Sequence, residues 1–146
     1  MEPVEINAGE LYLRALRVDD RIDDRVALVE GGRFADAGTA GEFISARTTD
    51  WAADEGCSWA VCEQLGNTAV GEISLTARGA IDCWTTPDRR GEGIGTAALD
   101  AVLRFGFGFL ELPHVDGRPV DPAGIRLAQK CGFAPDRSRG VWTRLR

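Results

Sequence analysis

The sequence predicts an α+β domain, a mixed sheet with helices between its strands in the order β-α-α-β-β-β-α-β-α-β. Three observations carry that expectation. Apolar residues alternate at a spacing of two in several short runs and recur at three and four in others, the periods of strand and helix. A proline- and glycine-rich turn over residues 86–96 joins a strand-like run directly to the longest helix-like one. The length, 146 residues with 44% hydrophobic and 27% charged side chains, suits a single domain spanning 1–146 with its own core.

Leu11 and Leu13 share one face of the first strand, residues 11–17. Asp19 or Asp20 is placed to cap a helix over 20–30, where Ile22, Val26 and Val29 recur at helical spacing and Gly31-Gly32 closes it. Asp19, Asp20, Asp23 and Asp24 suit an acidic first turn, with a cation site as the alternative. Residues 32–41 are loop-like, and a second helix over 41–51 turns Phe43, Ile44, part of Arg47 and Trp51 inward. Runs 58–63 and 68–75 form a hairpin through Leu65-Gly66-Asn67. Arg78-Gly79 leads into a strand over 80–85, which Pro87 stops because proline has no N–H to give a ladder. The helix over 96–110 carries an apolar stripe of Ile94, Ala98, Ala101 or Val102, Phe105 and Phe109. After an extended run at 113–120, Asp121-Pro122 signals a helix entry, and Gly132 closes the short helix over 125–131 as a left-handed cap. A turn at 135–140 leads to the last strand, 141–145.

A formal net charge of −6 argues against nucleic acid or an anionic membrane as a partner and suits a cationic acceptor. No apolar run approaches the roughly 20 residues of a membrane span, and the first residues lack the basic and apolar regions of a signal peptide. The expected location is cytoplasmic. Cys57, Cys62, Cys83 and Cys131 show no Cys-x-x-Cys spacing, and His114 is the only histidine, so reduced thiols and no metal site are expected.

The turn is where chemistry concentrates. Its glycines let the backbone approach a ligand closely, and the helix after it begins with unpaired N–H groups at the positive end of a dipole. Together these suit a phosphate or pyrophosphate. A P-loop needs a lysine after its last glycine, but the only lysine, Lys130, lies elsewhere. A Rossmann fingerprint needs a third glycine where Thr96 stands, and a longer βαβ array. The acyl-CoA pattern R/Q-x-x-G-x-G/A is met in full by Arg90, Gly93 and Gly95. With Cys83-Trp84 and Pro87 ahead of it, the stretch resembles the GNAT superfamily of N-acetyltransferases, and within it the RimJ/RimL-like branch. A second run, Ile125-Arg126-Leu127-Ala128-Gln129-Lys130-Cys131-Gly132-Phe133, is similar to the family's S-x-R-x-A-E-K-x-G-F. The resemblance is specific over 83–133 and topological before that.

What it implies is the GNAT fold, in which splayed central strands hold acyl-CoA, and direct transfer of an acetyl group from acetyl-CoA to a primary amine of a small molecule or protein N-terminus. Around acetyl-CoA, as co-substrate, it implies Trp84, Thr85, Thr86, Arg89, Arg90, Gly91, Glu92, Gly93, Ile94, Gly95, Thr96 and Asp121. A homodimer is compatible with it. Asp121-Pro122-Ala123-Gly124 stands where the family carries D-P-x-N-x-x-S, without the asparagine and the serine. That keeps a non-catalytic acyl-CoA-binding module as an alternative from another class; a nucleotide-binding protein using the turn is a third. An alkyl ammonium has a pKa near 10, so transfer at neutral pH calls for a base, whereas a thiol of pKa about 8.5 leaves readily. The candidate bases are Asp116, where many relatives carry a strand glutamate, Asp82, on the strand beside the expected thioester, and Glu72. Each is equally open to a salt-bridged or solvated role. Tyr12, the only tyrosine, lies far along the chain from Ala128, where some relatives keep a tyrosine acid, and no acid is assigned.

Overall fold

Two antiparallel sheets meet at one point and part from it. The structure, a computed structural model, describes residues 1–146. The first sheet places β1 (Ile6–Ala8), β2 (Leu11–Arg14), β3 (Gly56–Glu63), β4 (Ala69–Thr76) and β5 (Ile81–Thr85) side by side in that order. The second contains β6 (His114–Gly117), β7 (Ala134–Asp136) and β8 (Val141–Leu145), with β8 in the middle. A parallel bridge between Ala80 and Asp116 joins them, and the Asp116 N–H donates to the Gly79 carbonyl at 2.8 Å. This junction is what makes the sheet mixed.

Four helices, α1 (Asp24–Glu30), α2 (Ala37–Ala53), α3 (Ile94–Gly108) and α4 (Pro122–Lys130), cover the sheets. β3 shows why its sequence is nearly continuous in apolar residues. Cys57, Trp59 and Val61 join the larger core with residues of α3 and α4, while Ala60 and Cys62 join a second core with Leu28, Ala40 and Ile44 of α1 and α2. A strand buried on both faces needs no polar alternation. Trp59, fully buried, meets Trp51 and Phe105 edge-on at 5.4 Å, an arrangement favoured by the aromatic quadrupoles.

The expected order of the longer elements stands, with two short edge strands added: β1 beside β2, and β7 overlapping the start of the expected 135–140 turn. Three residues give too little periodicity for either to be visible in sequence. The first helix begins at Asp24 rather than residue 20, because Asp23 is its cap and Asp19 instead closes a preceding turn onto the N–H groups of Arg21 and Ile22. Its buried residues are Asp24 and Leu28, four apart, while Val26 is 51% exposed. An ion pair between Arg14 and Asp24 sets that face and overrides the apolar stripe. The second helix starts at Ala37, ahead of the expected residue 41, since Asp36 caps it by accepting from the Thr39 N–H at 2.8 Å. The third starts at Ile94, and Phe109, expected in its stripe, is 63% exposed just beyond its end.

Candidate active site

The site is assembled on β5 and the turn after it. Pro87–Arg89 makes one 3₁₀ turn, and Gly91 and Gly93 then take φ values of 79° and 83°, which disfavour any side chain. Gly93 caps α3 with no side-chain partner, and the N–H groups of Gly91, Glu92, Gly93, Ile94, Gly95 and Thr96 have no backbone or side-chain acceptor. These donors, gathered at a helix start of positive potential, fit a pyrophosphate. Arg90 lies in the same turn and donates to the Thr85 carbonyl at 3.1 Å. Arg89 and Glu92 point elsewhere: Arg89 is paired with both Glu63 and Glu92.

Past the Ala80–Asp116 junction, β5 and β6 open into a cleft lined by Ile81, Cys83, Leu99, Leu127, Phe133 and Trp142 among others. Which β5 groups face it follows from the ladder. The Thr86 N–H is donated to Val70 on β4, and Glu72 pairs with Trp84 in the same register. An antiparallel ladder alternates, so Asp82, Trp84 and Thr86 spend their main-chain groups on β4, and Cys83 and Thr85 turn theirs to the cleft. Trp84 and Thr86 instead send their side chains to α1. A Cβ on Gly31 would lie 2.6 Å from the Trp84 ring and 3.0 Å from the Thr86 methyl, so only glycine allows that approach. Asp121 accepts from the Gly124 N–H at 2.7 Å and caps α4.

The three candidate carboxylates have different surroundings. Asp116 is clasped by Arg139, whose two terminal nitrogens donate at 2.8 and 3.1 Å, and that pairing holds its carboxyl below the usual range. A carboxylate so held is a weak proton acceptor. Asp82 is largely exposed and bonded to Arg33 Nη2 at 3.0 Å. Glu72, opposite Trp84 on β4, is fully buried, and burial pushes its carboxyl up to about 7, against the opposing influence of Arg33. Arg33 Nη2 is 3.4 Å from Glu72 Oε1, while Oε2 has no partner. An acid titrating near neutrality suits proton transfer.

The sequence profile of the acetyltransferase (GNAT) domain family matches residues 10–134. The chain belongs to this family. No curated protein matches the sequence. Among solved structures, the chain is similar to a putative ribosomal-protein-serine acetyltransferase from Vibrio cholerae, with 23% identity, TM-score 0.82 and full coverage of both chains. It is similar also to RimJ of Mycobacterium smegmatis in complex with CoA-disulfide, with 16% identity, TM-score 0.77, and 92% and 77% of the two chains covered. A third is the microcin self-immunity acetyltransferase MccE in complex with acetyl-CoA and AMP, with 15% identity, TM-score 0.74, and 94% and 93% covered. At these identities the structures show a shared fold.

Membership in the GNAT family makes the chain an acetyl-CoA-dependent N-acetyltransferase. Its glycine turn and the open edge of β5 lie next to each other, as binding of a long pantetheine arm with a pyrophosphate requires. Glu72 and Asp82 lie on the α1–α2 side of β5, one strand and no strands away from it, while Asp116 sits at the base of the cleft. Sequence reasoning missed Arg33 and Cys83. Arg33 carries no motif, and only its contact with Glu72, 39 residues away, marks it. Cys83 was within reach, since strand alternation from Pro87 backward would have separated cleft-facing from sheet-facing residues. No helix is long and apolar enough to cross a membrane.

Proposed function

We propose that this GNAT domain, residues 1–146, acetylates a primary amine in the cytoplasm, with Glu72 as the general base. The observation that carries the reading is a buried carboxyl held near pH 7 directly across the ladder from Trp84, beside the strand that edges the cleft. Glu72 takes a proton from the acceptor ammonium and the freed amine attacks the thioester carbonyl; the C–S bond then breaks, CoA leaves as a thiolate, and the proton the nitrogen sheds on becoming an amide goes to that thiolate. Asp82, exposed at the mouth, draws the cation in. The cleft-facing groups of Cys83 and Thr85 suit pantetheine as an added strand would pair, and the donors of residues 91–96 suit the pyrophosphate. Similarity to structures named as ribosomal-protein acetyltransferases favours a protein N-terminus as the first acceptor class to try.

Incubation with acetyl-CoA and a panel of amines, including ribosomal-protein N-terminal peptides, tests this by thiol release. Calorimetry with CoA, ADP and NAD checks the ligand. Gly93→Val, in a variant that keeps its far-UV spectrum, should weaken CoA binding tenfold or more, about 1.4 kcal/mol. Tight CoA binding without transfer to any amine would favour a binding module instead.

A further inference from the structure

Glu72 has no exposed surface, and a base cannot take a proton from a group it cannot touch. What joins it to the exposed Asp82 is a single guanidinium nitrogen, Arg33 Nη2, at 3.4 Å from one and 3.0 Å from the other. We propose that Arg33 is a resident substitute for the acceptor: its guanidinium occupies the cation site between Glu72 and Asp82, and the acceptor's ammonium binds by displacing it. The inference rests on the reading of Glu72 as base.

The arrangement is built for exchange. Glu72 Oε2 and Arg33 Nε are both buried without a partner, and 3.4 Å is longer than the 2.7–2.9 Å of a firm charge-assisted bond. A compact ammonium, with three donors on one atom, can satisfy oxygens that the planar guanidinium leaves unmet. Exchange of one cation for another also leaves neither carboxylate without a counterion, which removes the cost of a bare buried charge. The resident guanidinium carbon also lies 5.3 Å and 5.8 Å from the ring centres of Phe34 and Phe43, faces that attract a cation and can keep hold of it when its contact with the carboxylates is lost. It stands between α1 and α2, with its own N–H anchored to the Leu28 carbonyl at 2.9 Å, so the side chain can swing while the backbone stays.

The proton balance then runs forward. The ammonium N–H bond breaks as the Glu72 O–H bond forms, and the nitrogen keeps its electron pair for the carbonyl carbon. The charged and titratable groups around Glu72 are Arg33 from the α1–α2 segment, Asp82 and Cys83 from β5, and Arg47 from α2. Departure of Arg33 removes the nearest positive charge, so Glu72 holds the proton more firmly once it has it.

Two measurements on the full chain in its CoA complex test this. In wild type, the Arg33 Nε–H resonance, assigned by its loss in Arg33→Met, should move on titration with n-butylammonium chloride and not with sodium chloride at equal ionic strength. An Arg33 signal unmoved at saturation overturns the proposal, whether or not the amine is acetylated. For an amine that the panel shows to be acetylated, Arg33→Met should lower its KM about tenfold. It should also shift the acidic limb of kcat/KM to higher pH and leave the KM for acetyl-CoA alone, and Arg33→Lys should return KM toward wild type. A raised amine KM would make Arg33 an acceptor contact, and a lower Tm with unchanged KM and pH limb would make it structural; either result sinks the proposal. Failure to bind acetyl-CoA at all would count against the proposed function rather than against the exchange.

Discussion

Two arginine–carboxylate clusters lie on the α1–α2 side of the sheet, and they are built in opposite ways. In the first, Arg14 donates to both oxygens of Asp24 at 2.8 Å, the Arg17 N–H adds a third bond at 2.6 Å, and Arg14 also reaches the Asn67 carbonyl. Every oxygen is met, and both side chains are almost wholly buried. In the second, Arg33 spans Glu72 and Asp82 through one nitrogen, with buried atoms of Arg33 and Glu72 left unpartnered. The first cluster pins α1 to β2 and sets which face of α1 is inward. The second leaves a carboxyl poised to change its protonation. A satisfied polar network specifies structure, whereas a half-satisfied one in a cleft is a candidate site for a ligand or a proton.

The largest expected effect comes from breaking the satisfied cluster. Asp24→Ala strands a buried guanidinium and should cost about 3–5 kcal/mol in urea unfolding, out of roughly 5–15 kcal/mol for a typical domain. Loss of under 1 kcal/mol would show that Arg14 finds water instead. Next, Glu72→Gln should keep CoA affinity and lower turnover at neutral pH by roughly 10²–10⁴-fold, the range for a positioned base. The deficit should narrow at high pH, where the amine arrives deprotonated. Turnover within threefold of wild type would move the base to Asp82 or to a bound water.

The same residue makes a smaller prediction for stability. Its folded pKa, about 7, lies above the ordinary 4.5, so the folded chain binds the proton more tightly than the unfolded one. This contribution is fully present below about pH 4.5 and is lost as pH rises through 7, a change of about 3 kcal/mol at 1.36 kcal/mol per unit. Urea midpoints taken at pH 5 and pH 8 should converge in Glu72→Gln. An equally steep fall in the variant would place the titrating group elsewhere. Smallest of all, Asp116→Asn removes a carboxylate that resembles Asp24 in being fully held, by a partly exposed arginine. It should cost about 1 kcal/mol of stability and leave kcat nearly unchanged; a hundredfold drop would restore Asp116 as the base.

The turn was legible because it is local. Pro87, Gly91, Gly93 and Gly95 mark strand end, turn and helix start through backbone rules that act over a few residues, and Asp121 and Gly132 mark the ends of α4 the same way. The hairpin of β3 and β4 was visible for the same reason. The roles of the carboxylates were not legible, since a carboxyl's proton affinity is set by what surrounds it. Asp116 meets Arg139 across 23 residues, and Glu72 meets Arg33 across 39. Strand partnership likewise decided that Cys83 and Thr85, rather than Trp84, turn their main chain to the cleft. By itself the sequence determined the order of the longer elements, the strand–turn–helix unit over 86–96 and, through its motif, the family. Tertiary structure alone decided which acid is clamped and which is only half satisfied, because burial and charge pairing are properties of neighbours brought together from distant parts of the chain.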